Sequence, residues 1–167
     1  MKNALAMLLL LALVQFSFAS DASRIAQENE VQEAVFGYQF DHNASGLQKK
    51  ANVYCLFIGP KRTDPSNELM KRFASHTPPV RKASECKIGA GGVFDKRTRA
   101  EGLAFGIFGI TWTSDTEAQV EGGYYEATLS SSGNTYTVVK QQGAWKVSKD
   151  SMKWISRNLK RFSIPYC

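Results

Sequence analysis

Histidine is scarce in this chain. Only His42 and His76 occur, in separate loop-like stretches with no partner at helical or strand spacing, whereas a zinc site needs three or four converging ligands. No resident metal is expected on that ground. The Gly-x-Ser-x-Gly nucleophile elbow is also missing, and neither histidine is placed as a base for a serine. The stretch Gly89 to Gly92 is glycine-rich but lacks the lysine and hydroxyl residue that follow in a phosphate-binding loop. No cofactor is expected. Beyond the N-terminus, no apolar run approaches the roughly twenty residues that a spanning helix requires, so no membrane span is expected either. An aromatic-and-basic surface motif is likewise wanting, which argues against a nucleic-acid partner.

What is present begins with the N-terminus. Lys2 precedes an apolar run from Ala4 to Val14, followed by Gln15-Phe16-Ser17-Phe18-Ala19, the pattern of a secretory signal peptide. Ser17 and Ala19 stand at the two small-residue positions that a signal peptidase inspects. The expected leader is therefore residues 1–19, with a mature chain starting at Ser20, periplasmic or secreted. No cysteine follows the cut, so lipid attachment is not indicated.

Export changes how three cysteines are read, because thiols pair and persist in an oxidising compartment. Cys55 and Cys86 both lie in strand-like apolar context and form the expected pair. Free buried cysteines, or a bond from either to the terminal Cys167, are the alternatives. The net charge is +6 with a pI near 9.3, and much of the excess lies in Lys146, Lys149, Lys153, Arg157, Lys160 and Arg161. Such a cluster suits an anionic surface or acidic partner, although a solvated terminal segment accounts for it more simply. Residues 156–167 read as a basic tail after a single domain over 20–155.

Along the mature chain, Val31, Ala34, Val35 and Tyr38 carry the three-and-four spacing of a helix over about 22–40. Asp41 to Gly46 supplies its terminating turn, and Asn43-Ala44-Ser45 matches the short, common glycosylation sequon. Val53 to Ile58 is an apolar run bounded by Gly59-Pro60, the form of a buried strand. A second helix is expected from Asp64, with Asp64 as cap, Pro65 in the first turn and Leu69, Met70 and Phe73 inward; it must stop before Pro78-Pro79. From Val80 the pattern changes to alternating runs rich in Thr, Val, Tyr, Trp and Ile. Strands are expected near 80–86, 104–113, 118–129, 135–141 and 144–155, joined at Ser114-Asp115, Ser131 to Asn134 and Gln142-Gly143. Gly89 to Gly92 and Asp95 to Glu101 read as loops.

Helices followed by long antiparallel strands define an α+β fold. The expectation is N-terminal helices packed on a strongly curved antiparallel sheet of about five to six strands, a cone-shaped roll. Gly106, Gly109, Gly122 and Gly123 supply its kink points.

The segment Gly133-Asn134-Thr135-Tyr136-Thr137-Val138-Val139-Lys140 followed by Gly143-Ala144-Trp145-Lys146-Val147 resembles the closing hairpin of the nuclear transport factor two-like superfamily, and the helix ending in Tyr38 and Phe40 is similar to that superfamily's first helix. Pro79 to Cys86 and Glu121-Gly122-Gly123-Tyr124-Tyr125 resemble segments of small exported bacterial members of uncharacterised function. The resemblance implies the cone fold, and a homodimer through the open sheet face. It transfers no activity, because the catalytic patterns of the superfamily's isomerases, dehydratases and cyclases find no counterpart here.

On the longest strand, Gln119, Glu121, Gly123 and Tyr125 share one face, and Val120, Gly122 and Tyr124 the other. If the first face is concave, Glu121 is a candidate base and Tyr125 a candidate donor; if it meets water, they are ordinary strand residues. Gln119, Trp112 and Arg81 are weaker ligand-binding candidates, the last against a reading in which Arg81, Lys82 and Glu85 simply decorate an edge strand. The leading expectation is a noncatalytic exported module that binds a small molecule or a protein. The alternatives are a cofactor-free isomerase or dehydratase using Glu121 and Tyr125, and an envelope or effector-immunity component.

Overall fold

The computed structural model describes residues 23–157. The leader expected over 1–19 lies outside them, as does the tail from 158 onward with Lys160, Arg161 and Cys167.

Residues 23–41 form α1. Val31, Val35, Phe36 and Phe40 are buried along one stripe, and each such side chain contributes about 2 kcal/mol by leaving water. Asn43 ends the helix: its Nδ2 donates to the carbonyls of Gln39 at 2.9 Å and Phe40 at 3.3 Å, which satisfies acceptors left free in the last turn. The sequon asparagine is thus engaged in closing α1. Ser45 then ties the following turn to the sheet through Glu126, 2.6 Å away.

The strands are β1 (Tyr54–Ile58), β2 (Val80–Lys82), β3 (Cys86–Gly89), β4 (Gly92–Asp95), β5 (Glu101–Ser114), β6 (Glu117–Ala127), β7 (Ser130–Gln141) and β8 (Ala144–Arg157). A short helix, α2 (Asn67–Arg72), follows β1, and a 3-10 turn over Ala83–Glu85 separates β2 from β3. The sheet is open and eight-stranded, with the path β2-β1-β5-β6-β7-β8 and the β3–β4 hairpin joined to β5. The α+β class holds, with a mostly antiparallel sheet.

The strand count and the curvature depart from the expected five-to-six-stranded cone. Two strands come from segments expected to behave otherwise. The run 80–86 is cut in two by the 3-10 turn, where the Glu85 carboxylate accepts from the Lys82 amide at 2.9 Å. Gly92, at φ 110, lets the loop close into a hairpin and start β4. Nor is the sheet wholly antiparallel, since β1 runs parallel to both β2 and β5. That position explains its apolar run: Tyr54 and Leu56 join the core under α1, while Val53, Cys55 and Phe57 join a second cluster on the opposite face.

Three local expectations are corrected. Ser66, not Asp64, caps α2 by accepting from the Leu69 amide at 3.1 Å; Asp64 instead accepts from the amide and hydroxyl of Ser84 at 2.9 and 2.6 Å. Ser131 to Asn134 are buried residues inside β7, and the turn before them is Thr128-Leu129. The first long hairpin turns at Asp115-Thr116. Gln142-Gly143 does turn the chain, with both residues at positive φ, 52 and 83, as a tight hairpin requires.

The space between α1 and the sheet is filled. Phe36, Phe40, Tyr54, Phe73, Phe105, Tyr124 and Tyr136 pack there with aliphatic partners, in edge-to-face and tilted ring contacts such as Phe40–Phe105 at 5.2 Å and Tyr54–Phe105 at 5.1 Å. Gln39 is buried among them, and its Nε2 donates at 3.3 Å to both Gly106 O and Tyr136 Oη. The second cluster is smaller and sits beneath the β3–β4 hairpin around the Cys55–Cys86 disulfide.

Candidate functional site

The face of the sheet turned away from α1 is only partly covered. Beside the disulfide cluster, one cross-strand row runs over five strands: Phe57 pairs with Gly106, Gly106 with Gly123, Gly123 with Gly133, and Gly133 with Trp154. Paired residues point to the same face. Side chains at the three central positions are thus lacking, and the two ends are aromatic.

The rings lean inward over the glycines. A methyl group on Gly106 would lie 2.3 Å from the Phe57 ring, and one on Gly133 would lie 2.3 Å from Trp154 Nε1. Glycine permits both close approaches, the arrangement in which an aromatic side chain covers backbone that has no side chain of its own. Gly123 forms the floor between the two rings. Phe108 stands beside Phe57 with ring centroids 5.9 Å apart, and Tyr125 closes one end.

Two β-bulges lie beside this row, both on its Glu121 side. Between Ile107 and Gly109 the register with β6 slips at Phe108, and between Met152 and Trp154 the register with β7 slips at Lys153. Bulges re-aim side chains. In β5 the slip also keeps the core in phase, because Leu103, Phe105 and Ile107 are followed inward by Ile110 and Trp112. Phe108 and Trp154 remain 39% and 53% exposed, unusual for large rings on a strand.

The result is a groove of about 390 Å³ lined by Phe57, Pro60, Arg62, Phe108, Tyr125 and Trp154, among others. Phe108 and Trp154 also border a smaller cavity of about 240 Å³ that contains Glu121, Thr135 and Lys153. Arg62 sits at the opposite end. Its guanidinium carbon is 5.7 Å from the Phe57 ring and 5.6 Å from the Tyr125 ring, within range of cation–π attraction. Arg62 lines the adjoining cavity of about 500 Å³ as well, with Lys61, Thr63, Asp64 and Ser84. There the Asp64 carboxyl is lowered: burial works to raise it, but the Ser84 hydroxyl and amide, with Lys82 and Lys96 nearby, outweigh that effect.

The sequence candidates are distributed over both faces. Glu121 and Tyr125 lie on the groove face with Gly123 between them, Glu121 exposed and without a hydrogen bond or ion pair among the described residues. Gln119 is on the same face, hydrogen-bonded to Thr137 at 3.0 Å. Trp112 belongs to the opposite side, edge-on to Trp145 at 5.4 Å and beneath Arg24 at 3.9 Å. Arg81 pairs with buried Asp95 at 3.3 Å. The Asp95 carboxyl is held low, first by the Thr98 amide and then by the Arg97 amide and Arg81, against the opposing effect of burial. That cluster fixes the loop after β4.

Phe57, Arg62, Phe108 and Trp154 had no part in the sequence-based candidate set. Trp154 carries a readable signal as a large ring on the polar-rich strand β8; Phe108 is hidden in the apolar run of β5. Arg62 carries none, because its position depends on the loop closed by the Ile58–Thr63 pair.

No family model, curated protein or solved structure matches this chain. Among the described residues, no helix is long and apolar enough to cross a membrane.

Proposed function

We propose that this protein is an exported, noncatalytic binding module that holds its ligand in the aromatic groove on the helix-free face of the sheet. The observation that carries this reading is the row Phe57–Gly106–Gly123–Gly133–Trp154. Its glycines are covered by neighbouring rings instead of side chains of their own, and Trp154 at one end and Phe108 beside Phe57 at the other stay exposed; burying such rings against a ligand is favourable. A groove of about 390 Å³ is within the size range of small-molecule sites, roughly 300–1,000 Å³.

The filled interior favours binding over catalysis, because the nuclear transport factor two-like enzymes that the sequence resembles work in the mouth of their cone. So does the spacing of the candidate pair. Glu121 and Tyr125 are four residues apart on one strand, about 13 Å, too far to share one reacting atom. Export is supported by the leader pattern and by the disulfide, which persists in oxidising compartments.

The test is ligand-detected NMR with a panel of planar fragments and the mature chain. Hits that vanish in Trp154→Ala and survive in Trp112→Phe support the groove; hits indifferent to Trp154→Ala overturn it. N-terminal sequencing of the secreted product should begin at Ser20, and retention of the leader would overturn the export reading.

A further inference from the structure

We propose that the ligand of this groove is a planar aromatic anion, seated against Phe108 and Trp154 with its negative group on the guanidinium of Arg62; this rests on the binding reading above. Arg62 is fixed where such a group would arrive. Its loop is closed by paired hydrogen bonds between Ile58 and Thr63, 2.8 and 3.0 Å, and by its own amide donating to Gly59 O at 3.1 Å. The guanidinium then rests against the rings of Phe57 and Tyr125. Ring faces attract a cation but accept none of its five N–H donors in the directed geometry that a carboxylate offers.

No acid among the described residues neutralises it. Among the described residues Arg62 makes no ion pair, and the nearby Asp64 is occupied by Ser84. Lys61 lines the same mouth, so the local charge there is positive. At the far end of the groove stands Glu121, exposed and unpaired, beside Lys153. Glu121 and Lys153 balance one another there, whereas Lys61 and Arg62 outnumber Asp64 at the other end, so an anion enters with its charge toward Arg62 and its apolar body toward Trp154.

The shape selects the body. Phe57 and Trp154 lie over Gly106 and Gly133, and the rings the groove leaves exposed are Phe108 and Trp154. A planar ring system meets them by offset stacking. A saturated polyol would instead need several directed donors and acceptors, and the exposed walls of the groove are mainly rings, with the Ser132 hydroxyl already donating to Asn134 at 3.0 Å.

The experiment is calorimetric titration of the mature chain with 2-naphthoate and with its neutral amide, 2-naphthamide. In the unmodified protein naphthoate should bind about tenfold or more tightly than naphthamide, the scale of a charge-assisted hydrogen bond. Arg62→Gln should erase that preference, Lys153→Gln should leave it within about twofold, and Trp154→Ala should weaken both compounds about tenfold. Equal affinity for the two compounds, or a preference that survives Arg62→Gln or is lost in Lys153→Gln, would overturn the anion anchor and leave the groove standing. Failure of both compounds to bind, or binding indifferent to Trp154→Ala, would overturn the groove reading itself. All three positions are exposed, so the variants should melt with the unmodified protein, which a parallel thermal scan checks.

Discussion

The indole of Trp154 lies across Gly133, its cross-strand partner, so closely that a methyl group on the glycine would stand 2.3 Å from Nε1 and 2.6 Å from Cε2. The neighbouring Gly123 is crowded differently: a methyl group there would meet the backbone oxygen of Ser132 at 1.9 Å. One obstacle is a movable side chain and the other is the sheet.

That difference predicts two outcomes for the same substitution. Gly133→Ala should cost less than about 1 kcal/mol, because the half-exposed indole swings aside. Gly123→Ala should cost about 3 kcal/mol, because two strands must separate. Urea denaturation of both variants measures the contrast, and equal costs would show that Trp154 is not a movable wall.

Removing the bridge between β1 and β3 should be expensive. Cys55 and Cys86 are separated by 31 positions, and a loop of that size implies roughly 3–4 kcal/mol of stability in the chain-entropy account. The Cys55→Ala/Cys86→Ala double variant should show a urea midpoint lowered accordingly. A midpoint unchanged under oxidising conditions would mean that the bond is dispensable.

Two carboxyls and three phenols set the pH limits, Tyr136 with Tyr38 and Tyr54, all three raised first by burial. Asp64 and Asp95 both have depressed folded-state pKa values, so their stabilisation is complete above the unfolded value near 4 and is lost as pH falls through the folded values. Asp95→Asn should flatten the fall in melting temperature below about pH 4. Burial raises the Tyr136 phenol, an effect that the Gln39 hydrogen bond only partly offsets. The unfolded chain therefore ionises that tyrosine first, and stability should fall as pH rises above about 10; Tyr136→Phe should remove part of that alkaline loss. Thermal scans from pH 2 to 5 and from pH 9 to 11, in steps of about half a unit, test both ends.

Glu121 should be neutral for stability and unfavourable for an anionic ligand. Exposed and unpaired, it should tolerate Glu121→Gln within about 0.5 kcal/mol, and naphthoate should bind slightly more tightly at low salt, with the gain vanishing as salt screens the charge. A Glu121→Gln variant that binds more weakly would favour the reading in which this carboxylate serves the ligand directly.

The elements were legible where one physical rule dominates. The stripe around Val31 and Val35 marks α1, and the β-rich runs after residue 100 mark four long strands, although the start of β7 at Ser130 is missed. The alternation of Gln119, Glu121, Gly123 and Tyr125 against Val120, Gly122 and Tyr124 separates the two faces of β6, with Val120 and Tyr124 turned to the core under α1. Legibility failed where partners outweigh local propensity. Ser131 to Asn134 have turn chemistry, yet pairing with β6 on one side and β8 on the other draws them into β7. Gly92 to Asp95 is too short to announce a strand, and pairing with both β3 and β5 makes it one.

The site was half legible for the same reason. Gly106 and Gly123 stood out as glycines in strands, but kinks and close approaches look alike in a sequence, and only register makes Phe57 and Trp154 their neighbours. Residues 57 and 154 are nearly a hundred positions apart and meet one groove because β1 inserts parallel between β2 and β5.

By itself, the order of residues determined which segments can be helix or strand, which face of each strand is apolar, and which two cysteines stand in strand context. These follow from periodicity and side-chain chemistry, which act over a few residues. The tertiary structure decided the strand order, the register that aligns three glycines between two rings, and the loop that holds Arg62 at their edge. Those depend on pairings between distant segments, whose energies no local pattern encodes.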